Sequence, residues 1–209
     1  MRLQPAESEA IERLIETVET RTGVQVLVAV VPRSDSYAEL PWKAFALGAS
    51  LAGGAVVLAD VWLTALLDTL IVLGTGAVCA LLAVLVPSFA RLFLREVRSH
   101  AEVKQYAESL FFRRELFRTR HRTAVLVLVS QFERRIEILP DTGLADRVGA
   151  TEWRQVIEAM TPHLRDARPF HALQDGLGVV ERILLANGVR ATARTTNELP
   201  NRPIEEPGA

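Results

Sequence analysis

Five arginines lie close together between residues 113 and 122, and they are the side chains best suited to bind a ligand. They are Arg113, Arg114, Arg118, Arg120 and Arg122. A guanidinium group binds phosphates and carboxylates through two parallel hydrogen bonds, so Arg118, Arg120 and Arg122 are candidates for an anion site. The alternative is a solvated helix end, where these arginines interact with the helix dipole or pair with Glu115 and Glu133.

The other reactive side chains do not form a catalytic pattern. The four histidines have no metal-ligand spacing and are expected at the solvated surface; they are His100, His121, His163 and His171. The single cysteine, Cys79, lies in an apolar stretch where a thiolate is disfavoured. Ser130 follows an apolar run without a Gly-x-Ser-x-Gly elbow, and no dinucleotide or Walker phosphate loop follows a predicted strand. The sequence therefore predicts no cysteine or serine nucleophile of these known types.

The elements that position these residues are separated by a long apolar stretch, residues 44–90. Besides Cys79, its only ionisable side chains are Asp60 and Asp68. Since about 20 apolar residues suffice to cross a bilayer as a helix, the stretch predicts a transmembrane hairpin of two helices at residues 42–91. The alternative, a soluble protein with two buried central helices, is disfavoured because such helices normally keep a polar stripe.

The distribution of charge predicts the orientation of this hairpin. Lys43 precedes the first crossing, and Arg91, Arg95 and Arg98 follow the second, whereas the turn between them has no lysine or arginine. By the positive-inside bias, both outer ends face the cytoplasm. We therefore expect a multi-pass protein of the cell (inner) membrane, with the lipid bilayer as one partner and both soluble segments cytoplasmic.

Small residues recur four positions apart in both predicted crossings. The pairs are Ala49 with Gly53, Ser50 with Gly54, and Gly76 with Ala80. This spacing lets helices approach closely, so it predicts packing of one crossing against the other within the hairpin. Dimerisation through the same face is the alternative.

Two nearly continuous apolar runs, residues 24–31 and 124–129, are typical of strands that are buried on both faces. Residues 136–139 predict a third strand, which follows the second after a polar turn. Because a short strand is not stable alone, the first run requires the others on its own side of the membrane. The sequence therefore predicts one sheet built from both sides of the hairpin, with residues 24–31 paired to residues 124–129.

Apolar residues at helical spacing predict the helices that cover this sheet. One lies near the start of the chain and ends at Gly23, and a long amphipathic helix spans about residues 98–117. Two more are predicted, one from about Thr151 to just before Pro162 and one over residues 170–186. The remaining residues, 190–209, contain three prolines and few apolar side chains, so we expect a disordered tail.

Three fragments together resemble the TPM-domain family. They are ETRTGVQVLVAVV at residues 19–31, RTRHRTAVLVLVS at residues 118–130 and ERRIEILPDTG at residues 133–143. The resemblance covers about residues 7–186 apart from the hairpin, and it implies an α/β fold. We therefore predict a mixed central sheet flanked by helices, in a discontinuous domain of residues 1–41 and 92–189 that the hairpin interrupts.

The resemblance also has implications for chemistry. The family includes thylakoid proteins linked to photosystem maintenance, some with acid phosphatase activity, whereas many bacterial relatives have no established activity. Relatives often carry an acidic, glycine-rich segment after the third strand; here it keeps Asp141 and Asp146, so the resemblance implies a divalent cation, calcium or magnesium, at these two residues. Two carboxylates are too few for a shell of six to eight oxygens, and a role in turns and helix caps is the alternative.

These observations predict a membrane-tethered TPM-like accessory or protein-interaction module without established catalysis, whose partner is a membrane or cytoplasmic protein. A metal-assisted acid phosphatase or other phosphate-ester hydrolase is the alternative. The net charge of −1 gives no electrostatic reason to expect nucleic acid as a partner. A transporter subunit is disfavoured, because the crossings contain no buried charge pair and no broken-helix pattern.

Overall fold

A computed structural model of the protein describes residues 3–59, 64–191 and 197–208. In these residues the helices are α1 (Pro5–Thr22), α2 (Glu39–Ala59), α3 (Ala65–Leu85), α4 (Pro87–Ala90), α5 (Glu96–Arg113), α6 (Thr142–Ala145), α7 (Ala150–Arg165) and α8 (Pro169–Ala186). The strands are β1 (Gln25–Val31), β2 (Ala124–Ser130), β3 (Arg135–Pro140) and β4 (Ile204–Glu205), and two 3-10 helices are formed by Arg91–Phe93 and Leu116–Arg118.

The chain divides into two compact units. The α/β domain comprises Met1–Asp35 and His100–Ala209, and the helical unit comprises Ser36–Ser99. The helical unit extends beyond the predicted hairpin of residues 42–91 at both ends. Within it, α4 packs against α2 and α3, and the 3-10 helix after α4 packs against α2. An ion pair of 2.7 Å between Arg98 Nη1 and Glu39 Oε1 connects the start of α2 to the end of the unit.

The four strands form one mixed sheet in the order β3-β2-β1-β4. β1 and β2 are parallel, with Gln25 opposite Ala124 and Val31 opposite Ser130, although the whole helical unit separates them in sequence. β2 and β3 are antiparallel. The predicted mixed sheet flanked by helices and the predicted pairing of the two apolar runs are therefore confirmed.

The sheet has a hydrophobic core on each face, which explains why residues 26–31 of β1 and residues 124–129 of β2 are all apolar. Alternate residues such as Val26 and Val28 contribute to the cluster that also contains residues of α1, α7 and α8. The intervening residues, such as Leu27 and Ala29, contribute to a cluster with α5. A strand covered on both faces has no solvated face, so its sequence does not alternate between polar and apolar residues.

Local sequence determines both ends of α1. Pro5 occupies the first helical turn, where its missing N–H is not needed, and Glu7 Oε2 accepts a hydrogen bond of 2.8 Å from the amide of Gln4. Gly23 ends the helix with φ +75°, a conformation that glycine adopts without strain.

Residues 197–208 differ from the disordered tail that we expected at residues 190–209, of which residues 192–196 and Ala209 lie outside the described residues. Ile204 pairs with Ala29 and Glu205 with Val30, so this short stretch is the fourth strand of the sheet. The amides of Glu198 and Leu199 both donate to Gln25 Oε1. The segment is ordered because it covers the edge of β1, an interaction that its proline-rich composition does not reveal.

The helical unit contains two helices of 21 residues each, α2 and α3, that are long and apolar enough to cross a membrane. Few of their side chains are buried within the protein, and Leu58 is 86% exposed. The helices pack closely at Gly48 and Gly76, where an added Cβ would lie 2.6 Å from Cys79 Sγ and 2.8 Å from the ring of Phe45, respectively. Asp60, expected at the turn between the crossings, lies outside the described residues.

Replacing Gly76 by leucine is expected to weaken the packing of α2 against α3 by about 2 kcal/mol, because the new side chain overlaps the Phe45 ring. Gly54→Leu is the matched control, since a Cβ at Gly54 meets nothing within 4 Å. The midpoint of SDS-induced unfolding in micelles, followed by Trp42 fluorescence, measures the difference. Equal midpoints for the two variants would contradict the close approach of the helices.

Candidate functional site

An ion pair between Arg122 and Asp141 lies at the end of the sheet where β2 begins and β3 ends. Arg122 Nε lies 3.1 Å from Asp141 Oδ1 and 3.0 Å from Oδ2, and Arg122 Nη2 lies 2.9 Å from Oδ1. Asp141 is 3% exposed, and its Oδ1 also accepts a hydrogen bond of 2.7 Å from the amide of Thr142, which caps α6. The Asp141 carboxylate therefore already has a cationic partner and a structural role.

The backbone holds the two loops of this pair together. Gly143 donates its N–H to the carbonyl of Arg122 at 2.8 Å. A Cβ at Gly143 would lie 2.5 Å from the carbonyl oxygen of His121, so only glycine allows this approach. Arg122 itself has φ +55°, the left-handed conformation that a tight turn requires.

A divalent cation at Asp141 and Asp146, which the family resemblance implies, stays a prediction. A cation at Asp141 would first have to displace the Arg122 guanidinium, and Asp146 is an exposed residue at the end of α6. In residues 3–59, 64–191 and 197–208, no group of three or more histidine, cysteine, aspartate or glutamate side chains is placed to hold a metal ion. The geometry of Asp141 favours the role in turns and caps.

The arginine segment binds carboxylates of the chain itself. Arg118 pairs with Glu115 at 2.7 Å, as the solvated alternative predicts, and Arg114 Nη2 lies 2.5 Å from Glu206 Oε1 in the C-terminal segment. Arg120 donates its backbone N–H to Glu198 Oε2 at 3.0 Å. Of the three candidates, Arg118 and Arg122 are occupied by carboxylates, and the Arg120 guanidinium has no ion-pair partner among the described residues. Binding of an external anion at these three arginines stays a prediction.

A buried polar network lies at the C-terminal ends of β1 and β2, away from the Arg122–Asp141 pair. Sequence reasoning missed it. Ser34 donates its Oγ–H to Ser130 Oγ at 2.9 Å and its amide to Glu133 Oε1 at 2.8 Å. Ser130 in turn donates its hydroxyl to Glu133 Oε2. The network joins the exit of β1 to the turn between β2 and β3. Ser130 is fully buried, so its hydroxyl cannot reach a substrate, and we assign the network to structure rather than catalysis.

Glu19, near the end of α1, is a second buried carboxylate that the sequence did not single out. Its Oε1 accepts a hydrogen bond of 2.9 Å from the amide of Val26, and the side-chain amide of Asn201 lies 3.1 Å from its Oε2. Burial raises the pKa of Glu19 to about 7, and these two hydrogen bonds offset part of that effect. Regularly spaced glutamates in α1 gave no sign that this one faces inward.

The raised pKa of Glu19 predicts that the α/β domain loses stability as the pH rises. The ordinary value is 4.5 and the folded value is about 7, so the folded state binds more protons than the unfolded state between these values. The stabilisation is complete below pH 4.5 and is lost as the pH rises to about 7. From about pH 5 to about pH 8 we expect a loss of about 2 kcal/mol.

Glu19→Gln removes this pH dependence while keeping an acceptor oxygen for the Val26 amide. Because burial also raises the pKa of Glu137, the quantity to compare is the difference in Tm between the parent and Glu19→Gln as a function of pH. The difference should favour the variant increasingly from about pH 5 to about pH 8. Parallel pH profiles for the two proteins would refute the assignment.

The family model of the TPM domain matches residues 75–183, slightly more than half of the chain. The NMR structure of the BA42 protein from the psychrophilic bacterium Bizionia argentinensis superposes with a TM-score of 0.62 at 15% sequence identity, covering 99% of this chain and 97% of that chain. At this identity the likeness shows the fold alone. No curated protein matches the sequence.

Proposed function

Because the chain belongs to the TPM-domain family, we propose that it is a membrane-tethered accessory or protein-interaction module of that family. The observation that carries the proposal is the exposure of large apolar side chains on both α2 and α3. Trp42 is 73% exposed, Val57 78% and Leu66 70%. Exposing such a surface to water is unfavourable, whereas the hydrocarbon core of a bilayer accommodates it. Helices of 21 residues also match the thickness of that core, about 30 Å.

The charges at the ends of the two helices support an orientation with both ends of the hairpin in the cytoplasm. Lys43 lies near the start of α2, and Arg91, Arg95 and Arg98 follow α3. Cytoplasmic flanks of membrane helices carry an excess of such residues, and anionic lipid headgroups attract them. The α/β domain would then lie in the cytoplasm, and its partners are proposed to be proteins rather than nucleic acid.

Cysteine accessibility tests this topology in a Cys79→Ala background. A membrane-impermeant maleimide applied to intact cells is expected to label a cysteine at Thr64, which precedes α3, but not cysteines at Thr20 or Ser109. All three native side chains are exposed, so failure to label does not reflect burial in the protein. Labelling from outside at Thr20 or Ser109 would refute the orientation.

The family resemblance also raises a phosphate-ester hydrolase as the second candidate, and the residues give it less support. Asp141 is engaged by Arg122, and the buried Ser130 has Glu133 and Ser34 as its partners. An activated nucleophile requires both a base and access to substrate. An interaction module requires neither, so the occupied carboxylates favour it.

A further inference from the structure

The edge of β1 that faces away from β2 is covered by the C-terminal segment, residues 197–208. All seven residues of β1 are buried, yet β4 pairs only at Ala29 and Val30. Glu206 adds a hydrogen bond of 3.2 Å from its amide to the carbonyl of Val30. Without this segment, β1 would present an unpaired strand edge, which is a template for pairing with another chain.

The start of β1 binds the same segment through a side chain. Gln25 Oε1 accepts hydrogen bonds from the amides of Glu198, at 2.7 Å, and Leu199, at 3.1 Å. The segment then runs parallel to β1 until Ile204 and Glu205 join the sheet. The segment therefore contacts β1 near both ends of the strand.

Side chains of the segment show which chemistry this edge accepts. Leu199 and Ile204, five positions apart, pack against the core cluster between the sheet and α5. Glu206 pairs with Arg114 at 2.5 Å, and Glu205 Oε1 accepts a hydrogen bond of 3.1 Å from the amide of Leu3. An occupant is thus extended and acidic, with two apolar anchors.

The sequence of the segment limits how much of β1 it can pair with. Pro200, Pro203 and Pro207 have no backbone N–H to donate to a neighbouring strand. Only two residues of the segment pair with β1 in the sheet, although β1 has seven residues. An acidic segment without prolines can pair with more of β1 and therefore bind more tightly.

We propose that the edge of β1 beside Arg114 is a docking site for an extended acidic segment of a partner protein, and that residues 197–208 are a built-in occupant which this partner displaces. The mode is addition of a strand to a sheet edge, where main-chain hydrogen bonds give affinity and side-chain contacts give specificity. The inference rests on the proposed function as an interaction module and identifies the surface and the chemistry of the partner.

Fluorescence anisotropy of labelled peptides binding to the full chain in detergent micelles tests the proposal. The probes are a peptide with the sequence of residues 197–208 and the same peptide with Pro200, Pro203 and Pro207 replaced by threonine. The parent should bind the proline-free peptide at least about five-fold more tightly than the native one. A variant with a released segment, Ile204→Asp with Glu206→Ala, should bind the native peptide at least about ten-fold more tightly than the parent does, because the tethered competitor is lost.

Charge substitution locates the bound peptide. Arg114→Glu in the released variant should weaken binding of the native peptide about five-fold, and a peptide carrying Glu206→Arg should restore it. Arg113→Glu is the matched control, because the Arg113 guanidinium lies over the Tyr106 ring, 5.6 Å from its centre, and should leave binding unchanged. Equal effects of the two substitutions would overturn the assigned site.

Hydrogen exchange of the parent provides a test that does not depend on a folded variant. Saturating proline-free peptide should speed exchange at residues 197–208 and keep residues 25–31 protected. Unchanged exchange at residues 197–208, or equal binding of a scrambled peptide, would overturn the proposal. The proposal would also be overturned if the parent were a dimer and the released variant a monomer. The occupant of the edge would then be the segment of a second copy of the chain. Membrane topology is measured independently, so failure here leaves the tethered-module proposal standing.

Discussion

Val28→Asp is expected to unfold the α/β domain, with a loss of about 5 kcal/mol in the free energy of unfolding. Val28 is fully buried, lies opposite Val127 in the parallel pair and belongs to the core cluster shared with α1, α7 and α8. A carboxylate there has no counter-charge, and this penalty is comparable to the whole stability of a small domain.

Resistance of the domain to protease in detergent, followed by urea titration, measures this loss. Val28→Thr is the matched control, since threonine has nearly the shape of valine and is expected to cost about 1 to 2 kcal/mol for its buried hydroxyl. Membrane insertion should survive in both variants, because the hairpin does not depend on β1 for its apolar surface. Unchanged protease resistance of Val28→Asp would mean that β1 is not in the core.

The sequence predicts the sheet well because burial on both faces leaves a strong pattern. Continuous apolar runs identify β1 and β2, and the polar turn before β3 identifies the antiparallel pair. The C-terminal end of helix α7 is harder to predict from sequence. The sequence predicts that the helix ends before Pro162, but it continues to Arg165. Burial of Leu164 explains the continuation, because packing outweighs the backbone hydrogen bond that proline removes.

The candidate site is less visible in sequence because its contacts join distant residues. The partner of Asp141 is Arg122, 19 positions away, and both residues occur in polar turns that suggest solvent rather than burial. Gln25 and Glu198 are 173 positions apart, so no local pattern relates the C-terminal segment to the edge of β1. Local periodicity reports which face of an element is buried, but it does not report which polar side chains meet.

Removing the Arg122 side chain should reveal the role of Asp141. Arg122→Ala leaves a carboxylate that is 3% exposed without its counter-charge, and the expected loss is about 3 kcal/mol in the free energy of unfolding. Arg120→Ala is the matched control; its guanidinium has no ion-pair partner in the described residues, and its expected effect is within about 0.5 kcal/mol. Urea denaturation of the two variants gives both values, and equal stabilities would contradict a structural role for the pair.

The same residues separate the interaction module from the hydrolase. If Asp141 and Asp146 form a catalytic metal site, magnesium, manganese or calcium should restabilise Arg122→Ala, because that substitution frees the Asp141 carboxylate for a cation. If Asp141 is a cap and ion-pair partner, these cations should leave the variant unchanged, and the parent should hydrolyse no phosphate ester with any of them. Metal-dependent turnover that is abolished by Asp141→Asn or Asp146→Asn would reverse the ranking and make the hydrolase the better assignment.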